Sequence, residues 1–144
     1  MERKFLKKGE LTSQNDIFEA IDFFVPLVNK EFNYQEKNDF SCAYLKKLAP
    51  NLQAFVSEYG YVLYAVLPDY WGNIELNVLS FYIYPKERGR FACLKNLFDF
   101  VFKKASSVQA KQIVFGVHLG NTNRFNRFFI HQGFYPLSYI KNLS

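Results

Sequence analysis

The first fifty residues place their apolar positions at helical spacing. A helix is predicted over residues 14–31, with Ser13 as its N-cap and with a kink or a break at Pro26. A second, shorter helix is predicted to begin with Asp39 as its N-cap and to end before Pro50. The apolar positions that define the first helix are Ile17, Ile21, Phe24 and Val28.

Strand patterns occur at the start of the chain and dominate its middle. Residues 3–8, RKFLKK, predict a short edge strand, because charges surround two apolar residues. The runs LQAFVSE and YVLYAVL, joined at a Tyr-Gly turn, predict a hairpin. The run IELNVLSFYIY, residues 74–84, is apolar on both alternating faces, which is typical of a central strand covered on both sides.

The last third of the chain alternates helix and strand patterns. An amphipathic helix beginning near residue 91 is followed by a strand, KQIVFGVHL, and by a helix over residues 122–131 that Gly133 ends. YPLSYIKNL then predicts a last strand. The order β-α-α-β-β-β-α-β-α-β predicts an α/β protein, a mixed layer with helices on both faces. Because no linker or repeat interrupts it, we expect one domain over residues 1–144.

Charge and cysteine content narrow the classes of function. The net charge is +5, but the lysines occur in scattered pairs, which is typical of a solvated surface. Cys42 and Cys93 lie far apart without metal-ligand spacing, which predicts reduced thiols and no metal site. No apolar run approaches the ~20 residues that span a bilayer, and the start of the chain lacks the apolar core of a signal peptide. We therefore expect a cytoplasmic protein without a membrane partner.

A short motif links the central strand to the helix that follows it. Pro85, Arg88 and Gly89 match three positions of the signature P-x-x-R-G-x-G-x-G, whose later glycines are replaced here by Phe91 and Cys93. This junction resembles the GCN5-related N-acetyltransferase (GNAT) superfamily. The segment NTNRFNRFFIHQGF, residues 121–134, is similar to a weaker signature of the same family, with the asparagine register open between Asn121 and Asn123.

The resemblance implies a fold and a cofactor. The fold is the acyl-CoA N-acyltransferase fold, a single layer of about six to seven mostly antiparallel strands with helices on both faces. In the family, the turn holds the pyrophosphate of acetyl-CoA, or of another acyl-CoA, through backbone N–H groups. The pantetheine arm pairs with the end of the fourth strand, where it separates from the fifth. The cofactor-binding positions implied here are Ile83, Arg88, Gly89, Arg90, Phe91, Ala92, Cys93, Asn121, Asn123 and Phe129.

Phe91 decides whether the turn can still hold a pyrophosphate. Glycine is needed there because a side chain would stand in the path of the phosphates. If the Phe91 ring points into the core beneath the helix, its N–H group stays available. If the ring points outward, the site is blocked.

The resemblance also implies candidate catalytic residues. The family uses a Glu on the fourth strand, directly or through water, to deprotonate the amine, and Glu75 is the carboxylate within this strand. Glu75 is predicted to share a strand face with Asn77, Leu79 and Phe81. The family's tyrosine acid in the fourth helix is replaced by Phe129, and Tyr139 in the last strand could substitute for it. His118 follows a strand and could face the cleft.

Three functional hypotheses follow. The first is an N-acetyltransferase in which the amine of a small molecule or protein, bound by a monomer or homodimer, attacks the thioester of acetyl-CoA directly. The second is a catalytically degenerate binding or regulatory module of the same fold, which Phe91, Cys93 and Phe129 favour. The third is a nucleic-acid-binding protein that uses the basic pairs, although the aromatic residues fall at core spacing and make nucleic acid an unlikely partner.

Overall fold

A computed structural model describes residues 3–116, 129–135 and 143. Within these residues, five strands and three α-helices follow one another along the chain. The strands are β1 (Gly9–Leu11), β2 (Leu52–Val56), β3 (Gly60–Pro68), β4 (Ile74–Ile83) and β5 (Gln112–Phe115). The helices are α1 (Gln14–Glu31), α2 (Asn38–Lys46) and α3 (Phe91–Ser107).

Helix α1 has the predicted bounds and the predicted cap. The Asp16 N–H donates to the Ser13 hydroxyl at 3.2 Å, which satisfies one of the amides left open in the first turn. The helix continues through Pro26, so the alternative of two separate pieces is wrong. Apolar side chains on both sides of the proline, Phe24 before it and Val28 after it, pack into the same core and hold the two halves in line.

Two N-terminal expectations are corrected. The first strand is Gly9–Leu11 and not residues 3–8, because the earlier residues are held by side-chain contacts instead of a strand ladder. Helix α2 does not use Asp39 as its cap. It continues from a 3-10 turn at Gln35–Lys37, and the Asn29 amide donates to the Asn38 side chain at 3.0 Å, which ties the start of α2 to α1.

The sheet has the order β1-β2-β3-β4-β5. The first three pairings are antiparallel and the pairing of β4 with β5 is parallel, which confirms the mixed, mostly antiparallel sheet. The predicted hairpin and central strand are present as β2, β3 and β4. Five strands are described where six to seven were expected, and the last predicted strand lies outside the described residues.

Each face of the sheet carries its own core. Helices α1 and α2 cover one face, where the Phe24 ring stacks on Tyr61 with centroids 4.1 Å apart. Helix α3 covers the other face, where Phe98 contacts Phe81 and Phe115. Burial of these large rings stabilises both layers and fixes the position of β4 between them.

The predicted fourth helix is described only at its end. Residues 129–131 are helical, and Gly133 has a φ of +89°, the left-handed conformation that ends helices. The Phe134 N–H donates to the Phe129 carbonyl at 2.9 Å, as expected for such an end.

Candidate functional site

Within the described residues, strand β4 is paired on both sides from Glu75 to Val78. The ladder with β5 runs from Glu75 and Gln112 to Val78 and Phe115, and the Gly116 N–H donates to the Val78 carbonyl at 3.3 Å. Beyond Val78, no described residue pairs with this edge of β4. Within the described residues, the second half of β4 therefore has a backbone partner on the β3 side alone.

A β-bulge marks the same point on the other side of β4. Leu63 pairs with Ser80 and Tyr64 pairs with Val78, so Leu79 has no partner across the strand. The extra residue reverses the alternation. Leu79 packs against the α1 side and Phe81 against α3, so the prediction that these two residues share a face is wrong.

The turn after β4 leads directly into α3. A 3-10 turn at Pro85–Glu87 is followed by Gly89, whose φ is +88°, and by Arg90, which takes the N-cap position without a side-chain cap. The Cys93 N–H donates to the Arg90 carbonyl at 3.1 Å. Among the described residues, the N–H groups of Gly89, Arg90 and Ala92 make no hydrogen bond. They lie at the positive end of the α3 dipole, which favours an anion.

Arg88 makes three contacts within the protein. Its Nε donates to the Ile83 carbonyl at 2.8 Å, and its guanidinium forms an ion pair with Glu31, the last residue of α1. The guanidinium also lies over the Tyr82 ring, 5.2 Å from its centroid. Arg88 therefore occupies a backbone acceptor at the end of β4 and joins the turn to α1.

Arg90 is also paired. Its guanidinium contacts the Glu87 carboxylate, which accepts a further hydrogen bond from Lys4 Nζ at 3.2 Å. Desolvation of Glu87 opposes ionisation, but the hydrogen bond from Lys4 and the charge of Arg90 outweigh it and hold the pKa of this carboxyl below its usual value. Both arginines of the turn are thus neutralised by carboxylates.

The other predicted residues of the turn differ in burial. Phe91 is 63% exposed and its ring does not enter the core, which was the arrangement expected to block the site. Cys93, in the first turn of α3, is buried, and its thiol lies 3.8 Å from a carboxylate oxygen of Glu87. The Phe129 ring packs edge-on against Phe98 and Phe115, with centroids 5.7 Å and 5.0 Å away, so it contributes to the α3 core.

The predicted base lies at the far end of β4. Glu75 is the second residue of the strand, paired with Leu67 on one side and Gln112 on the other. At ~3.3 Å per residue it is about 26 Å from Ile83 and about 13 Å from Leu79. The structure therefore does not bring Glu75 to the turn. His118, Asn121, Asn123 and Tyr139 lie outside the described residues.

An open cleft of about 1140 Å³ adjoins the turn. It lies between residues 3–7, the solvent side of α1 and the end of β4, and its walls include Glu31, Tyr82 and Tyr84. The Phe5 N–H donates to the Tyr84 hydroxyl at 2.9 Å, which fixes the N-terminal segment along one wall. Sequence reasoning missed these residues, because no local pattern links residue 31 or residue 5 to residues 82–88.

Solved structures of other proteins resemble this chain, whereas sequence comparisons find no match. No family model and no curated protein sequence matches the chain. Solved structures do match it. Ribosomal-protein-alanine N-acetyltransferase from Brucella melitensis biovar Abortus is 17% identical with a TM-score of 0.62, over 96% of this chain and 99% of that one. An aminoglycoside acetyltransferase from an uncultured soil metagenomic sample is 13% identical with a TM-score of 0.70, over 98% and 99%.

A third structure was solved with acetyl-CoA. It is a protein from Clostridium acetobutylicum described as an acetyltransferase, 16% identical to this chain with a TM-score of 0.65, and the match covers 94% of this chain and 93% of that one. The chain has the GNAT fold. At these identities the match to GNAT structures establishes the fold, whereas the chemistry depends on this chain's own residues.

Metal-ligand groups and membrane-spanning helices are both absent from the described residues. Within residues 3–116, 129–135 and 143, no group of three or more His, Cys, Asp or Glu side chains could hold a metal ion. No helix in the described part of the chain is long and apolar enough to cross a membrane.

Proposed function

We propose that this protein is an acyl-CoA-dependent N-acyltransferase that moves an acetyl or another acyl group to an amine. The observation that carries the proposal is the end of the described β4–β5 ladder at Val78, which precedes the Gly89 turn and the start of α3. A strand edge without a partner, followed by N–H groups at a helix start, suits a ligand with an amide-bearing arm and a phosphate group.

Three N–H groups and two arginines of the turn support such a ligand, whereas the exposed Phe91 ring opposes it. The N–H groups of Gly89, Arg90 and Ala92 could hold a pyrophosphate, and Arg88 and Arg90 supply positive charge. A Cβ added at Gly89 would meet no described atom within 4 Å, so no described residue fills the space in front of Gly89. Ile83 would offer its carbonyl to the arm once Arg88 releases it.

The reaction is a direct acyl transfer. Acyl-CoA supplies the thioester whose carbon is attacked. The amine nitrogen forms a C–N bond as the C–S bond breaks, the thiolate of CoA leaves, and the nitrogen loses a proton. Glu75 is the proposed proton acceptor and Tyr139 is the proposed acid that protonates the thiolate. If the amine reacts near the bulge, about 13 Å from Glu75, the proton must pass along a chain of several water molecules to reach the Glu75 carboxylate.

A ligand titration tests the proposal. Acetyl-CoA at ~100 times its dissociation constant should stabilise the protein by about 2.7 kcal/mol, which for a domain of this size raises the melting temperature by several degrees. Arg88→Glu should abolish the rise. Lys103→Glu is the matched control, since it makes the same charge change on the exposed side of α3 and should keep the rise.

One observation favours the second candidate, a binding module without catalysis. Phe91 is exposed at the start of α3, and both arginines of the turn already pair with carboxylates. If acetyl-CoA, CoA and longer acyl-CoAs all leave the melting temperature unchanged, the enzyme proposal fails and the module becomes the better account.

A further inference from the structure

Glu31 stands at a position where a carboxylate needs a cation. It is the last residue of α1, and the carbonyl groups at that end carry the negative end of the helix dipole. A second negative charge there is unfavourable unless a cation neutralises it. In this structure Arg88 supplies that cation.

The surroundings of the Arg88 guanidinium form a cation site in their own right. The Glu31 carboxylate contacts it, the Tyr82 ring lies 5.2 Å away and the Ile83 carbonyl accepts from its Nε at 2.8 Å. A carboxylate, an aromatic face and a carbonyl are the three groups that bind organic cations in proteins. Two of these residues, Glu31 and Tyr82, line the open cleft, so a ligand can reach them from solvent.

Arg88 is held in a way that allows exchange. Its side chain is 41% exposed and that of Glu31 is 32% exposed, so their ion pair is weak and partly hydrated. The N–H groups at the start of α3 lie within the same turn. A pyrophosphate bound at these groups attracts Arg88 more strongly than a single carboxylate does, because it carries more negative charge.

We infer that Glu31 has two successive cationic partners: Arg88 before acyl-CoA binds, and a positively charged group of the amine acceptor once the phosphates have drawn Arg88 away. This inference rests on the proposed acyltransferase function. It makes Glu31 a specificity-determining residue and makes acceptor binding follow cofactor binding. The cation at Glu31 is not the reacting amine, which must lose its charge before it attacks.

The distance between the bulge and the cation site predicts how far apart two amines of the acceptor lie. Leu79 lies three residues before Tyr82, about 10 Å along β4. An acceptor whose reacting amine lies at the bulge and whose second cation lies at Glu31 therefore carries two amines about 10 Å apart. Linear diamines and chains with two spaced basic groups meet this requirement, and monoamines meet only half of it.

The test measures two opposite effects of one substitution. Glu31→Gln frees Arg88, so the dissociation constant for acetyl-CoA should fall about two- to fivefold, the strength expected of an exposed ion pair. The same substitution should lower kcat/KM for diaminooctane about tenfold, because the charge-assisted contact to its second amine is lost. With octylamine, which has one amine on the same chain, kcat/KM should stay unchanged.

Two variants serve as controls. Glu19→Gln removes the same charge from the same helix and the same cleft, about 18 Å from Glu31, and should change neither constant. Glu31→Asp keeps the charge and should retain the preference for diaminooctane over octylamine.

The outcomes separate the inference from the proposed function. If the native protein binds acetyl-CoA but Glu31→Gln binds it equally or more weakly, the inference is wrong and the acyltransferase proposal stands. A parallel loss for octylamine and diaminooctane would also overturn the inference. If neither the native protein nor Glu31→Gln binds acetyl-CoA or CoA, both the inference and the acyltransferase proposal fail.

Discussion

The two halves of β4 differ although they belong to one strand. From Ile74 to Val78 the strand has partners on both sides and regular alternation. From Leu79 to Ile83 it begins with a bulge, keeps β3 as its described partner and ends beside charged side chains. Among the described residues, the first half has two strand partners and the second half has one. The comparison shows that one strand can be fixed in the sheet at one end and be bound less completely at the other.

The closed half should tolerate truncation of its core least. Leu76 is fully buried against α3, so Leu76→Ala should lower the free energy of unfolding by about 2–5 kcal/mol through lost burial and a cavity. Urea denaturation measures the change. Ser80→Ala, in the open half, should cost much less, because it removes a single hydroxyl group, which interacts with the Tyr61 hydroxyl, and leaves no large cavity. Equal losses would contradict the division of β4 into two halves.

A substitution at Gly60 tests how closely β3 packs against the second half of β4. A Cβ at this position would lie 1.9 Å from the Tyr82 carbonyl oxygen, a backbone atom that can move only with β4. Gly60→Ala should therefore lower the free energy of unfolding by about 1–3 kcal/mol. Gly116→Ala is the control, since a Cβ there meets no described atom within 4 Å. A stability of Gly60→Ala equal to that of Gly116→Ala would show that the end of β4 is not fixed.

Glu87 makes the stability of the open half depend on pH. Its pKa is lowered in the folded protein, so its contribution is fully present above the unfolded value, near 4.5, and is lost as the pH falls through the folded value. The stability difference between the native protein and Glu87→Gln should shrink as the pH falls from 7 to 3, and thermal denaturation across this range measures it. Lys4→Gln should reduce the difference at neutral pH. A difference independent of pH would contradict the ion-pair network.

Trp71 gives the smallest expected effect. It is the single tryptophan and is 80% exposed in the loop before β4. Its backbone N–H donates to the Asp69 carboxylate at 2.8 Å. Trp71→Phe should change the free energy of unfolding by no more than ~0.5 kcal/mol. Tryptophan fluorescence should also stay constant on addition of acetyl-CoA, since the ligand is expected at the opposite end of β4. A marked change in emission would place binding at the closed end.

Local patterns predicted the elements well. Ser13 and the apolar spacing after it gave α1, alternating residues gave the β2–β3 hairpin, and the glycine at position 89 marked the turn. These features depend on residues close in sequence, where capping, periodicity and backbone freedom act directly.

The details of the site depend on distant contacts. No sequence pattern near Leu79 predicts the bulge. The bulge lies where side chains of β3 and β4 pack into the two cores on opposite faces of the sheet. The ion pair of Glu31 with Arg88 spans 57 residues, so only the folded chain brings the two together. Asp39 had the right residue type for a cap, but the contact of Asn29 with Asn38 decided where α2 begins.

The paired arginines have a consequence for ionic strength. A site that binds phosphates through unpaired cations loses affinity as salt screens the attraction. In this protein salt also screens the ion pairs of Arg88 with Glu31 and of Arg90 with Glu87, which compete with the ligand. The two effects act in opposite directions, so anion binding at this turn should depend on salt less steeply than its two arginines alone would suggest.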